Sequence, residues 1–158
     1  MADLRALFVA LGSEDVVTYV QSGNVVFRNP VGDAGTLTEA IERRISRDLD
    51  LDLTVVLRTK VQLAKVAAGN PFAASESDSK KLHVTFLAET PSRARVRALE
   101  AKQFPPDEFR LVGRDVYLHC PDGYGRSKLS NAHFEKQLGV AATTRNWNTV
   151  RNLAELVR

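Results

Sequence analysis

"AASESDSKKLHVTFL", Ala73 to Leu87, changes character halfway. Its first nine residues are small, polar and charged; its last six are β-branched, aromatic and aliphatic. Such a composition shift reads as a linker over residues 73–81 running into a strand over residues 82–87. The order of elements beyond that strand decides the fold. Thr90-Pro91 opens a helix whose apolar face carries Val96 and Leu99. "EFRLV" and "DVYLHC" form a hairpin turning at Gly113-Arg114, with a second helix pairing Phe134 and Leu138 at i, i+4 beyond it. "ATTRNW" reads as a short strand, and a closing helix capped by Asn148 or Thr149 buries Val150 and Leu153.

Upstream of the linker the same order recurs. Leu4, Leu7, Phe8 and Leu11 mark one face of a helix that Gly12 ends. "VVTYVQ" and "NVVFR" form a hairpin around Ser22-Gly23. Thr36 with Glu39 makes a capping box for a helix carrying Leu37, Ile41 and Ile45. "LTVVLR", Leu53 to Arg58, is expected to be a strand, and Thr59 caps a short helix after it. The second half is therefore β-α-β-β-α-β-α, and the first half is the same series without its opening strand. The expectation is an α+β chain of two tandem ferredoxin-like (split βαβ) plait subdomains, the first over residues 1–72, the second over 82–158. The first would lack its opening strand, which is central in such a sheet. The chain reads as shortened at its N-terminus, or as a protein whose sheet takes its missing pairing from a second copy or swapped segment.

Two stretches resemble signatures of a known family. "TYVQSGNVVF" is similar to a helix-following TYIQSGNVVF-like hairpin, and "DGYGRSKLSNAHFEKQLGVAATTRNWNTVRNL" is similar to a G-x-G-R-S-K turn followed by T-T-R-N-W-x-T. On these residues the chain is identified as a member of the bacterial family catalogued as domain of unknown function 1697. The resemblance implies two αβ-plait subdomains and an upstream strand with a glycine-rich loop that this sequence lacks. It implies no reaction, cofactor or substrate.

Composition narrows the classes that remain. At 158 residues with 44% apolar and 26% charged content, the chain is long enough for a sizeable core. No apolar run is long enough to span a bilayer, and the N-terminus has no signal-peptide layout. One cysteine, Cys120, at an apolar strand phase, fits a buried thiol in a reducing cytoplasm. The net charge of +3 and pI near 9.2 favour anionic partners non-specifically, without proving nucleic-acid binding.

"GYGRSK" is not a phosphate loop of the Walker type, because Gly125 is followed by arginine and serine before Lys128. It is a glycine turn feeding a helix that Ser127 is placed to cap. Either it only turns the chain, or the helix end together with Arg126 and Lys128 holds an anion. In "TTRNWNT", Arg145, Asn146 and Trp147 offer a cation, an amide and a stacking face suited to a nucleotide; alternatively the tryptophan fills the core, Arg145 bonds carbonyls and Asn148 caps the last helix. Gln21 and Asn24 near the first hairpin tip are either turn residues or ligand contacts. His83, His119 and His133 show no metal-ligand spacing, no cofactor motif is present, and no catalytic residue can be named. Tyr117 is the one strand aromatic expected to be available for stacking on RNA. Three functions stay open: a module binding a phosphate-bearing ligand, nucleotide or nucleic acid, through the second subdomain; a small-molecule enzyme with its site between the subdomains; or a structural protein that dimerises through the open sheet position.

Overall fold

A computed structural model describes residues 2–19, 23–29 and 33–157. The elements are α1 (Ala2–Ala10), β1 (Glu14–Tyr19), β2 (Asn24–Arg28), α2 (Ala34–Leu49), α3 (Lys60–Ala68), β3 (Leu82–Leu87), α4 (Arg93–Glu100), β4 (Glu108–Val112), β5 (Asp115–His119), α5 (Asn131–Leu138), β6 (Ala142–Asn146) and α6 (Trp147–Leu156). The chain divides into two compact units, one running to Leu57 and taking the last residues from Glu155, the other Arg58–Ala154. The stretch 73–81, expected as a linker, belongs to the second unit. There Glu76 Oε1 meets His119 Nε2 at 2.9 Å, and Ser79–Lys81 form a turn of 3₁₀ helix.

In the first unit β1 and β2 form an antiparallel pair, with Gly23 at φ 80° beside the turn. Leu7 and Phe8 of α1 and Ile41 and Ile45 of α2 bury their side chains with Val16 in one cluster. The cap of α2 is Asp33, whose carboxylate accepts from the Thr36 N–H at 3.1 Å, rather than the Thr36–Glu39 box. Leu53–Arg58, expected as a strand, forms none. Among the described residues β2 pairs only with β1, so no ladder lies beside this stretch. Its backbone turns to a side chain instead, Val55 N–H donating to Glu42 Oε1 at 3.0 Å, while Val55 and Leu57 pack on the cluster.

The second unit carries a four-stranded antiparallel sheet in the order β4-β5-β3-β6. Strand alternation sends Leu87, Val116 and Leu118 to one face, where Leu99 of α4 and Phe134 and Leu138 of α5 complete a fully buried cluster with Cys120. Val84, Phe86 and Tyr117 face the other way, where α3 meets Tyr117 and Arg58 lies over the Phe86 ring. The Tyr117 hydroxyl donates to the Val66 carbonyl at 3.3 Å, and the Phe72 ring stacks on His119. Tyr117, expected to be exposed, is thus buried. Arg58 fixes the same face: its Nε donates to Asp115 Oδ1 at 3.1 Å, and its Nη2 to the carbonyls of Leu87 and Arg114 at 3.0 and 2.9 Å. Among the described residues no helix is long and apolar enough to cross a membrane.

Candidate functional site

The turn at Asp122–Lys128 is built by Gly123, whose φ of 96° is open to glycine and strained for other residues, and by a 3₁₀ turn over Tyr124–Arg126. Ser127 does not cap α5. Ser130 does, accepting from the His133 N–H at 3.2 Å. The Ser127 hydroxyl donates to Asp107 Oδ2 at 2.8 Å and accepts from the Leu129 N–H at 2.9 Å, tying this turn to the loop between α4 and β4. Between the two loops lies a hollow of about 320 Å³. Arg126, Lys128 and Asp122 line it on one side, Phe104, Pro106 and Asp107 on the other. Arg126 and Lys128 are exposed and make no ion pair or side-chain hydrogen bond among the described residues.

Arg145 does not join them. Its strand neighbour Thr144 reaches α5, so Arg145 belongs to the opposite, α3-covered face, across from Val84. Its Nη1 donates to Thr143 Oγ1 at 2.7 Å and to the Thr144 carbonyl at 2.9 Å, and burial lowers its pKa from the usual arginine value. Asn146 caps α6, its Oδ1 accepting from the Thr149 N–H at 2.8 Å, where Asn148 or Thr149 was expected to cap. Trp147 is buried at 4% exposure, as core filling requires. Asn24 is buried and donates to the Tyr19 carbonyl at 3.2 Å. Gln21 lies outside the described residues.

Within the second signature the GYGRSK turn and the TTRNWNT strand nevertheless meet, through residues that sequence reading passed over. Asn131 sits at their junction: its backbone N–H donates to the Tyr124 hydroxyl at 3.0 Å and its Nδ2 to the Ala142 carbonyl at 2.9 Å. Its Oδ1 accepts from Thr144 Oγ1 at 2.9 Å, which in turn lies 2.7 Å from Thr85 Oγ1. The His83 ring stacks on Tyr124 with centroids 4.5 Å apart. Burial pushes the His83 pKa down, favouring the neutral ring. This chain of side chains stabilises the turn that presents Arg126 and Lys128. Nothing in the spacing of Thr85, Tyr124, Asn131 and Thr144 announces it, because strand pairing brings them together.

His133 faces the same region. Its ring stands edge-on to Phe104 at 5.2 Å, and burial followed by the charges of Lys102 and Lys136 lowers its pKa. Cys120 is fully buried and burial, the largest influence, raises its pKa, which makes the thiol a poor nucleophile.

Fold and site together define a mixed α/β protein of two compact units, with a polar hollow and no assembled catalytic group among the described residues. The chain belongs to the family described as Protein of unknown function (DUF1697), whose model matches residues 1–117. The match ends before the Asp122–Lys128 side of the hollow. A solved structure of the conserved bacterial protein SP0830 from Streptococcus pneumoniae is similar over 99% of this chain and 88% of that one, with TM-score 0.77 and 19% identity. At that identity the likeness speaks for the fold alone. Comparison with curated proteins finds no match.

Proposed function

We propose that this protein is a binding module for a phosphate-bearing ligand, taken up in the hollow between the Gln103–Asp107 loop and the Asp122–Lys128 turn. One observation carries the reading: two unpaired cations, Arg126 and Lys128, converge on a single hollow. Asp122 on the same wall asks for a donor-rich ligand, so a nucleotide or sugar phosphate suits the lining better than a bare anion. The phosphate would meet the two cations and its hydroxyl or amino groups the carboxylate. Arg145, Asn146, Trp147 and Asn24 have other work and drop out of the site. A fully buried single cysteine agrees with a reducing, cytoplasmic setting.

The test is a thermal-shift series with inorganic phosphate, ribose 5-phosphate and nucleoside mono- and diphosphates. Ligand at about 100 times its Kd stabilises by about 2.7 kcal/mol, well above detection. Stabilisation should saturate for a nucleotide or sugar phosphate and vanish in an Arg126→Ala, Lys128→Ala double variant. Failure of every compound to stabilise the protein would end this reading.

We further propose that the chain is a tandem of two split βαβ plaits. The order β4-β5-β3-β6 supports this for the second unit, with the opening strand β3 inside the sheet. In the first unit the α-β-β-α series followed by an extended apolar stretch, Leu53 to Leu57, supports an incomplete copy. A strand lying beside β2, from a second copy of the chain, would restore the ladder. Sedimentation across a concentration series would show a dimer on this reading and a monomer throughout against it.

A further inference from the structure

We infer that the partner taken up at the hollow is a polymer, the phosphate backbone of a double-stranded nucleic acid lying along the seam between α4 and α5. This rests on the phosphate reading above and extends it from one ligand-sized pocket to a surface.

The modest overall charge hides a division. Sixteen lysines and arginines face nine acids within Arg58–Ala154, a net of +7, whereas up to Leu57 five face nine, a net of −4. The two sets are also used differently. In the first unit Arg43, Arg44 and Arg47 are each within 4.0 Å of a helix carboxylate. In the second, the cations of the α4–α5 layer have no acid partner among the described residues.

Their placement is continuous. Arg95 Nη1 and Lys102 Nζ both reach Gln137 on α5, at 3.5 and 2.9 Å, so both lie in the seam. Lys102 and Lys136 are close enough to act together on His133. His133 touches Phe104, and Phe104 lines the hollow with Arg126 and Lys128. Five cations thus run from the seam into the hollow. A mononucleotide reaches only the last two. The eight residues of α4 span about 12 Å, and a duplex carries a charge about every 1.7 Å of its axis, enough to engage the whole strip.

The surface fits nucleic acid better than lipid. No large exposed apolar residue lies on α4 or α5, so the layer has nothing to insert among acyl chains. Phe104 and Tyr124 are half-buried and engaged with other rings, so base stacking is not the mode of contact. Recognition would run through phosphates and be independent of sequence.

Fluorescence anisotropy with a labelled duplex of about 20 base pairs tests this, titrated from about 50 to 200 mM salt. Four phosphate contacts give a log–log slope of about −3.6, and each seam cation removed should reduce it by about 1. The double variant Lys102→Gln, Lys136→Gln, at two exposed positions outside the hollow, should weaken duplex binding about tenfold or more at low salt and leave nucleoside-phosphate stabilisation unchanged. Duplex binding no tighter than that of a nucleoside phosphate, or indifferent to the double variant, overturns the inference and leaves the hollow standing. Seam-dependent binding to phosphatidylserine vesicles without duplex binding overturns it too. If neither nucleoside phosphates nor duplex bind, both readings fall.

Discussion

In the second unit β3 lies between β5 and β6, with ladder partners on both edges. In the first, β2 is paired on one side only among the described residues. The contrast separates propensity from pairing. "LTVVLR" is richer in β-branched and aliphatic residues than "ATTRN", yet only the second is a strand. Ala142–Asn146 has β3 beside it as a ladder partner, and among the described residues no strand is laddered to the stretch from Leu53. Charge divides along the same line: paired arginines on α2, unpaired cations over α4 and α5.

The sharpest way to break this contrast is to unseat the second unit while leaving the first intact. Arg58→Ala leaves Asp115 half-buried without its cation and removes the guanidinium donor from the Leu87 and Arg114 carbonyls, of which Arg114 keeps the Leu87 N–H, at a cost of about 3–5 kcal/mol. Urea unfolding followed at Trp147 should show the loss. Burial already holds the Asp115 carboxyl above its ordinary range, with Arg58 opposing. A carboxyl whose folded pKa is raised loses stability as pH rises from its unfolded towards its folded value. The Arg58→Ala deficit should therefore be largest at neutral pH and shrink towards about pH 4. A deficit that grows on acidification would contradict the role given to Asp115.

Ile41→Ala, in the first cluster, should cost about 2–5 kcal/mol. If the two units unfold separately, the Trp147 signal, which reports the second, should keep its midpoint while far-ultraviolet circular dichroism loses an early transition. A common shift in both signals would show one cooperative unit instead.

Thr144→Val cuts the hydroxyl chain between Thr85 and Asn131 and should cost about 1–3 kcal/mol. If that chain presents the Arg126–Lys128 turn, ligand stabilisation should weaken as well. An unchanged ligand response would make the chain purely structural. The smallest effect is expected at Arg43→Ala, whose partner Glu39 is exposed and four residues away. Its midpoint should be indistinguishable from that of the parent protein.

Residues that act through their own neighbours in the chain were readable without a structure. The helix faces of α1 and α2, the hairpin of β4 and β5 at Gly113, and the Thr59 cap all follow from spacing of a few residues. The family, too, was legible in the TYVQSGNVVF hairpin, which lies inside the matched residues 1–117. Local rules misplaced several caps, at Thr36, Ser127 and Asn148, where more than one hydroxyl or amide competes within a turn and the backbone path chooses between Asp33, Ser130 and Asn146. The site was legible only in part. Arg126 and Lys128, two residues apart in the sequence, line one hollow, whereas Arg145, grouped with them by sequence, stands on the other sheet face by strand alternation. Whether a β-rich stretch becomes a strand, which face Arg145 joins, and how Thr85, Tyr124, Asn131 and Thr144 meet were decided by tertiary structure alone. The reason is common to all three: hydrogen-bond partners distant in the chain become neighbours only when the sheet assembles.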